Sequence, residues 1–317
     1  MYKMNIIKII LTVVVMHLNN SLYAAEPVKY LDENGQEQYV TDYSELTGAE
    51  DTLRNGWYVV SQPELITEYE CDKDLCVEGD VRIILCDNTV WDRRTDECVY
   101  SKNGSCLRIY AQSQGENMGR LVAYENKLKR AFYSLFFDVD SLVINGGFIE
   151  CVGIGKNSPA CCVRDLTLNG GQLSISNVTR GITCSNLHLN GGLLKVSATD
   201  FAVGVGEKLT IGKSYCDVEC ECTSILYYGD DDISIPDFVS VKVGDKEYTG
   251  VLPYDFTDLD NVTRITAHYD AEAALGINGV HDDVADDVWY TLSGIRLKSA
   301  PTEKGVYIHN GTKVQIR

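Results

Sequence analysis

The chain has 317 residues, of which 44% are hydrophobic and 23% are charged, with 28 basic residues against 46 acidic ones. Its formal net charge of −18 opposes binding to nucleic acid and to anionic membrane surfaces, because both require clustered Lys and Arg. Residues 1–25 carry two of the basic residues and no acidic one, so the remaining chain has 26 basic residues against 46 acidic, a net charge of −20.

The first 25 residues have the layout of a secretory signal peptide. Lys3 and Lys8 precede an apolar run at 9–16, and the segment closes with the small residues Ala24 and Ala25. This run is too short to cross a bilayer comfortably, and no comparable run follows it, so we expect no membrane-spanning segment in the mature chain. The segment predicts export and an extracellular or outer-membrane-surface location.

A repeated phrase follows a predicted N-terminal cap with entry strands at 26–60. SLVINGGFIECVG at 141–153 aligns with DLTLNGGQLSIS at 165–176 and NLHLNGGLLKVS at 186–197, and KLTIGKSY at 208–215 resembles a decayed fourth copy. Spacings of 24, 21 and 22 residues separate the equivalent leucines, which are Leu142, Leu166, Leu187 and Leu209. A period above 20 residues indicates a solenoid, here predicted with its trailing strands over 61–270.

Apolar residues alternate with polar ones inside each copy, which is the periodicity of a strand. Leu166 and Leu168 point to one side with Thr167 opposite, and Leu173 and Ile175 continue the alternation after Asn-Gly-Gly. Gly adopts left-handed backbone freely and Asn tolerates it, so this triplet turns the strand sharply. A period near 22 then holds about three short strands and three corners, which predicts an all-β parallel β-helix.

The asparagines of the triplets are predicted to form a structural ladder. If the copies stack about 4.8 Å apart, Asn145, Asn169 and Asn190 fall in register and their amides can hydrogen-bond along the stack. The recurrence of Asn therefore has a structural cause, and we favour the ladder over a binding site.

All 12 cysteines lie between Cys71 and Cys222. In an exported chain an even number permits disulfides, while buried free thiols remain the alternative, and spacing alone does not give the pairing. The alignment places Cys151 in an inward slot, where it acts as a small hydrophobic residue. Cys162 and Val205, each four residues before the leucine of its copy, are predicted to be equivalent to one another.

Motifs for catalysis, cofactors or metals are weak. GEKLTIGKS at 206–214 has five residues where a phosphate-binding loop has four, and Cys216, Cys220 and Cys222 have no nearby His to complete a zinc site. The carboxylate clusters of the terminal third are interpreted as solvated loop acids, with calcium as the one ion they could hold. They lie at Asp230–Asp232, Asp258, Asp260, Asp282, Asp283, Asp286 and Asp287. We assign no catalytic residue, no cofactor and no metal ligand.

Outward positions of the copies show no row of aromatic rings. The alternation assigns two outward series, which are Val143, Thr167, His188 and Thr210 before the triplet, and Glu150, Ser174 and Lys195 after it. From Ile235 onward ordinary alternating strands with Pro-bearing turns indicate that the solenoid has ended. Residues 271–287 are small, polar and acidic, and are predicted to be a linker.

Several stretches together resemble exported Bacteroidetes proteins that carry right-handed parallel β-helix domains. They are NGWYVVS (55–61), GDVRIILCDNTVW (79–91), LRIYAQSQGENMGRLVAYE (107–125) and the Asn-Gly-Gly copies, and the resemblance covers about residues 45–215. It implies a right-handed, pectin-lyase-like β-helix and a carbohydrate as the ligand class.

The C-terminal segment, 288–317, resembles the C-terminal sorting or attachment module of Bacteroidetes proteins exported by the type IX route. Its matching residues include Tyr290, Leu292, Gly294, Arg296, Gly305, Tyr307, Gly311 and Lys313. The segment itself predicts two or three short strands, with Asn310-Gly311 as a hairpin turn. The resemblance implies the export machinery as a partner.

Together these observations predict a secreted or cell-surface protein that binds without catalysis, namely a glycan-binding or adhesin-like protein whose partner is a polysaccharide or another surface component. One alternative is a polysaccharide lyase or glycoside hydrolase built on the same fold. The other is a structural surface spacer. Arg or Lys beside carboxylates on an outer face favours the enzyme, whereas an exposed aromatic row favours sugar binding.

Overall fold

The computed structural model describes most of the chain after the predicted signal peptide. The described ranges are 26–67, 75–93, 99–102, 104–124, 136–153, 159–220, 223–255, 262–274, 289–291, 300–302, 304–309 and 312–316. The chain divides between Tyr269 and Asp270 into two compact units. Among the described residues of the first unit, the regular secondary structure consists of strands.

The strands of the first unit have the following bounds in chain order. They are β1 (Val28–Leu31), β2 (Glu37–Val40), β3 (Ser44–Glu45), β4 (Thr52–Val60), β5 (Glu64–Thr67), β6 (Leu75–Leu85), β7 (Val90–Arg93), β8 (Val99–Ser101), β9 (Cys106–Ala111), β10 (Arg120–Tyr124), β11 (Phe137–Ile144), β12 (Phe148–Val152), β13 (Pro159–Leu168), β14 (Gln172–Leu189), β15 (Leu193–Ile211), β16 (Tyr215–Cys220), β17 (Thr223–Tyr227), β18 (Ile233–Ser234), β19 (Val239–Val243), β20 (Lys246–Tyr248), β21 (Val251–Leu252) and β22 (Arg264–Tyr269).

Strands β4 to β17 coil into a right-handed parallel β-helix of about six turns, which confirms the predicted fold. The repeated phrases stack in the predicted register, with Leu142 opposite Leu166, Leu166 opposite Leu187, and Leu187 opposite Leu209. β14 and β15 are long because each passes around two corners without interruption.

Each turn contributes strands to three faces, which we name A, B and C in the order in which a turn passes through them. Face A holds 52–54, 75–78, 99–101, 137–139, 159–163, 180–184, 201–205 and 223–227. Face B holds 56–60, 81–85, 106–111, 141–144, 165–168, 186–189 and 208–211. Face C holds 64–67, 90–93, 120–124, 148–152, 172–176, 193–198 and 215–220.

The Asn-Gly-Gly triplets form the corner between faces B and C. The second glycine of each has positive φ, namely +90° at Gly147, +69° at Gly171 and +71° at Gly192. A side chain at Gly171 is also excluded by space, because its Cβ would lie 2.4 Å from the carbonyl oxygen of Gly147 in the turn below. Gly therefore meets both a conformational and a packing requirement at this corner.

The inward side chains of the three faces meet along the axis of the solenoid. They are almost all aliphatic, and many are fully buried, including Leu142, Ile149, Leu166, Leu173, Ile182, Leu187, Leu194 and Val203. One continuous apolar core results, and its burial is the main stabilising contribution to the stack.

The antiparallel hairpin β1–β2 covers part of the outer surface of face B near the N-terminal end. Its Tyr30 packs against Trp57 and Tyr110, with ring centroids 4.6 and 5.1 Å away. Below it, β3 pairs in parallel with β4 and begins the stack. This arrangement places a second, small apolar cluster outside the solenoid.

An antiparallel cap follows the last turn. β22 pairs with β16 of face C, β19 pairs with β22, and β20 pairs with β19, so the sheet of face C continues into the cap. β18 and β21 form a separate antiparallel pair. The parallel pairing of the solenoid thus ends with β17, and the strands that follow it pair antiparallel.

The second unit contains α1 (Ala271–Ala274), β23 (Trp289–Thr291), β24 (Gly305–His309) and β25 (Thr312–Ile316). The three strands form an antiparallel sheet in the order β23-β24-β25. Helix α1 occupies the first residues of the predicted linker, and the remainder of that linker lies outside the described residues.

Candidate functional site

The predicted asparagine ladder lies at the corner between faces B and C. Asn169 Nδ2 donates to Asn145 Oδ1 at 2.8 Å, and Asn190 Nδ2 donates to Asn169 Oδ1 at 2.9 Å. Asn145 is buried, so this hydrogen bond satisfies an amide that is removed from water. The amides are used within the stack, which is a structural role.

The structure describes four of the eight residues of the sorting-like tail. Tyr290 belongs to β23, Gly305 and Tyr307 to β24, and Lys313 to β25. Leu292, Gly294, Arg296 and Gly311 lie outside the described residues. In the same sheet the Trp289 and His309 rings stack 4.2 Å apart.

Eight cysteines of the described ranges are free thiols. They are Cys76, Cys86, Cys106, Cys151, Cys161, Cys162, Cys184 and Cys216. Cys151 lies opposite Ile175 in the core. Burial raises the pKa of Cys184 and of Cys216 to about 12, so both thiols stay protonated and act as core residues.

The predicted equivalence of Cys162 and Val205 is wrong. Cys162 is exposed and lies opposite Thr183, whereas Val205 lies opposite Cys184. The register of β14 against β15 shifts after Cys184, so the turn containing Val205 has an extra residue before its leucine. A count of four residues back from the leucine therefore reaches the inward Val205 in one turn but the outward Cys162 in another.

Face B presents an outer surface on which polar groups bond to one another. Val143, Thr167, His188 and Thr210 fall in register as expected, and His188 Nδ1 lies 2.8 Å from Thr210 Oγ1. Toward the N-terminal end, Asp80 accepts a hydrogen bond from Arg108 Nε at 2.9 Å and another from Arg82.

Face C carries a series of outward side chains that includes two aromatic rings. The first residue after each corner lies in register with the next, and the series is Phe148, Gln172, Leu193 and Tyr215. His268 of the cap strand continues it, with its ring 5.3 Å from that of Tyr215 in an edge-to-face arrangement. We name these five residues the ring column.

The cap holds the Tyr215 ring in place. Tyr215 Oη donates to the carbonyl oxygen of Tyr269 at 2.9 Å, while the residue remains 38% exposed. Arg264 donates to both carboxylate oxygens of Asp217, at 3.0 and 3.1 Å, and so connects β22 to β16. A fixed and accessible ring is the property that stacking on a ligand requires.

Polar and charged residues lie beside the ring column. Glu150, Ser174, Lys195 and Asp217 form the neighbouring outward series, two residues further along each strand. Arg120 donates to Glu150 at 2.9 Å, and its guanidinium lies 4.7 Å from the centre of the Phe148 ring. The face therefore combines ring surfaces with hydrogen-bonding groups, as sites for polar organic ligands do.

The ring column is not predicted by the repeat alignment, although the sequence carries a signal for it. Phe148, Gln172 and Leu193 each follow an Asn-Gly-Gly triplet, and Tyr215 follows the degenerate Gly-Lys-Ser of the decayed copy. Because the four residues share a position but not a chemical type, alignment by similarity does not connect them. His268 comes from an antiparallel strand outside the repeat, and repeat spacing carries no information about it.

The described residues contain no group of three or more His, Cys, Asp or Glu side chains that could hold a metal ion. Of the predicted loop acids, Asp232 accepts a hydrogen bond from Tyr254 N at 3.0 Å, whereas Asp258, Asp260 and the acids of 282–287 lie outside the described residues. Within the same ranges, no helix is long and apolar enough to cross a membrane. Comparison with protein-family models, with curated proteins and with solved structures finds no match.

Proposed function

We propose that this chain is an exported, non-catalytic glycan-binding protein whose binding site is the ring column on face C. The observation that carries the proposal is the pair of aromatic rings, Phe148 and Tyr215, in one outward series of the solenoid. Three turns separate them, or about 14 Å at the usual spacing of strands. Sugar rings stack their apolar faces on such rings, while Gln172, Ser174 and Lys195 are available to hydrogen-bond hydroxyl groups.

The proposed location rests on the two ends of the chain. The signal-peptide layout of residues 1–25 supports export, and the resemblance of 288–317 to a type IX module supports delivery to the cell surface of a Bacteroidetes species. The strands β23, β24 and β25 are consistent with a small folded module at this end. A chain truncated after Asp287 should therefore be exported less efficiently or released from the cell surface.

Affinity electrophoresis of the chain from residue 26 onward, in gels that contain plant or host polysaccharides, tests the proposed site. We expect at least one polysaccharide to retard the protein, and Tyr215→Ala or Phe148→Ala to lower the affinity by about tenfold or more, the loss that removing a stacking ring at a site centre causes. Tyr39→Ala is the matched control, because Tyr39 is 63% exposed and lies on the hairpin β1–β2. Equal retardation of all variants would contradict the site.

A second candidate function, a polysaccharide lyase or hydrolase, is favoured by one observation on face B. Asp80 lies between Arg82 and Arg108, which is the combination of carboxylate and basic groups expected for that activity. Assay of the same polysaccharides for new chain ends separates the two functions. New ends that disappear in Asp80→Asn would favour the enzyme, and retention without new ends favours binding.

A further inference from the structure

A second open groove lies along the corner between faces A and B. Its volume is about 530 Å³, and six side chains that line it are Asp138, Asp140, Cys162, Arg164, Thr183 and Ser185. These residues come from three successive turns and occupy two adjacent series along the stack. The ring column shares no residue with this groove.

The first series runs along the corner itself and alternates in charge. Arg54 lies opposite Glu78, and the register continues through Lys102, Asp140 and Arg164 to Ser185. In the lower turns the charged groups bond to one another, with Arg54 Nε 3.3 Å from Glu78 Oε2 and Lys102 paired to the same carboxylate. At the groove the alternation ends at Ser185, whose side chain is short, and the corner opens.

The guanidinium of Arg164, which lines the groove, already forms ion pairs within the protein. Arg164 lies 3.7 Å from Asp140 Oδ1 and 3.1 Å from Asp165 Oδ2, so its charge is shared between two carboxylates. Asp140 also accepts a hydrogen bond from the backbone nitrogen of Gly104. These contacts fix the wall of the groove and compensate its charges.

The second series contains a carboxylate, that of Asp138, to which the described residues supply no ion-pair partner. Asp138 is exposed and lies between Tyr100 and Cys162 in register, with Thr183 beyond. Burial and the charge of Asp138 both raise the pKa of Cys162, so the thiol is neutral and does not offset that charge. The charge of Asp138 thus lies at the groove, which three hydroxyl-bearing residues also line, namely Ser101, Thr183 and Ser185. The Ser101 hydroxyl already accepts a hydrogen bond from the backbone nitrogen of Asp140, which leaves those of Thr183 and Ser185 for a ligand.

We propose that this groove binds small polyhydroxylated amines of the amino-sugar class, with Asp138 pairing with the ammonium group and Thr183 and Ser185 hydrogen-bonding to ligand hydroxyls. A carboxylate recognises an ammonium group through charge-assisted hydrogen bonds, which are stronger than those to neutral groups. Neutral sugars lack this group and should bind far more weakly. The proposal is independent of the glycan site on face C.

Titration of the chain from residue 26 onward with glucosamine, glucose and ethanolamine, followed by calorimetry, tests the proposal. We expect saturable binding of glucosamine, at least about tenfold weaker binding of glucose and of ethanolamine, and about a tenfold loss for glucosamine in Asp138→Asn. Glu247→Gln is the matched control, since it removes one exposed carboxylate from β20 and should leave the affinity unchanged.

Two further measurements make the result decisive. Thr183→Val keeps a strand-forming residue but removes the hydroxyl, and should weaken glucosamine binding severalfold without changing the circular dichroism spectrum. Tyr215→Ala should not affect glucosamine binding, so failure of the glycan proposal is distinguishable from failure of this one. Equal binding of glucose and glucosamine, or an unchanged affinity in Asp138→Asn, would overturn the proposal.

Discussion

At the scale of single residues, Asn and Gly each have a structural role at the corner between faces B and C. Asn169 is the central amide of the ladder, since it donates to Asn145 and accepts from Asn190. Gly171 supplies a backbone conformation and a close approach that other residues do not. Both roles follow from stacking, because each contact joins one turn to the next.

Replacing Asn169 with Ala should lower the free energy of unfolding by about 1 kcal/mol, the usual net contribution of a hydrogen bond. Urea denaturation followed by circular dichroism measures the change. Asn190→Ala removes only the last amide of the ladder, so we expect a smaller loss there. An unchanged stability in Asn169→Ala would argue against an energetic contribution from the ladder.

Replacing Gly171 with Ala should destabilise the protein by clearly more than replacing Gly250. Both glycines have positive φ, at +69° and +78°, so both substitutions incur the conformational cost of about 1 kcal/mol. Only at Gly171 does the new Cβ meet a backbone atom, whereas the space around Gly250 is open. Similar melting temperatures for the two variants would contradict the packing argument.

At the scale of elements, the repeat predicts strands and corners, but it does not predict irregularities within a turn. The alternation around Leu166 and the Asn-Gly-Gly triplets gave the three-strand turn correctly. Cys162 was misassigned because the extra residue near Gly206 is invisible when only leucines are aligned. The alignment does not predict that Phe148 and Tyr215 belong to one outward series, because the residues at that position differ in chemical type from turn to turn.

The connection between β3 and β4 depends on one carboxylate. Glu50 accepts hydrogen bonds from Thr47 N at 2.8 Å, from Thr47 Oγ1 at 2.7 Å and from Gly48 N at 2.9 Å. Burial acts to raise the pKa of Glu50, but these hydrogen bonds outweigh it and lower the pKa below its ordinary value. The connection should therefore be sensitive to acid.

Because the pKa of Glu50 is lower in the folded state, its contribution to stability is present above the unfolded-state pKa and is lost as the pH falls through the folded-state pKa. The difference in unfolding free energy between the wild type and Glu50→Gln should accordingly shrink as the pH falls below the unfolded-state pKa of Glu, about 4.3. Denaturation at several pH values measures it. A difference that grows toward low pH would contradict this assignment.

At the scale of the whole molecule, the stack is completed by elements that do not belong to the repeat. Face C ends in the antiparallel strands β22, β19 and β20, whose inward residues extend the apolar core. Terminal elements of this kind are expected in solenoids, because the last turn cannot bury its own apolar surface. The composition after Ile235 predicts strands there, but their pairing depends on long-range contacts that local alternation does not encode.

A chain that ends at Tyr269 should keep the thermal stability of the first unit, since the boundary between the two compact units follows that residue. Circular dichroism melts of the chains 26–317 and 26–269 make the comparison. A chain ending at Leu252 lacks β22 and should melt earlier or aggregate, because it exposes the edge of β16. A large loss of stability on truncation at Tyr269 would show that the second unit supports the first.

The parallel register also makes the length of the molecule adjustable. Since successive turns pair through parallel strands, duplicating a turn between Phe148 and Tyr215 would add about 4.8 Å to the axis of the solenoid. The distance from Phe148 to Tyr215 would grow by the same step. Gain or loss of a turn between Phe148 and Tyr215 would therefore change the distance between the two rings without changing either residue.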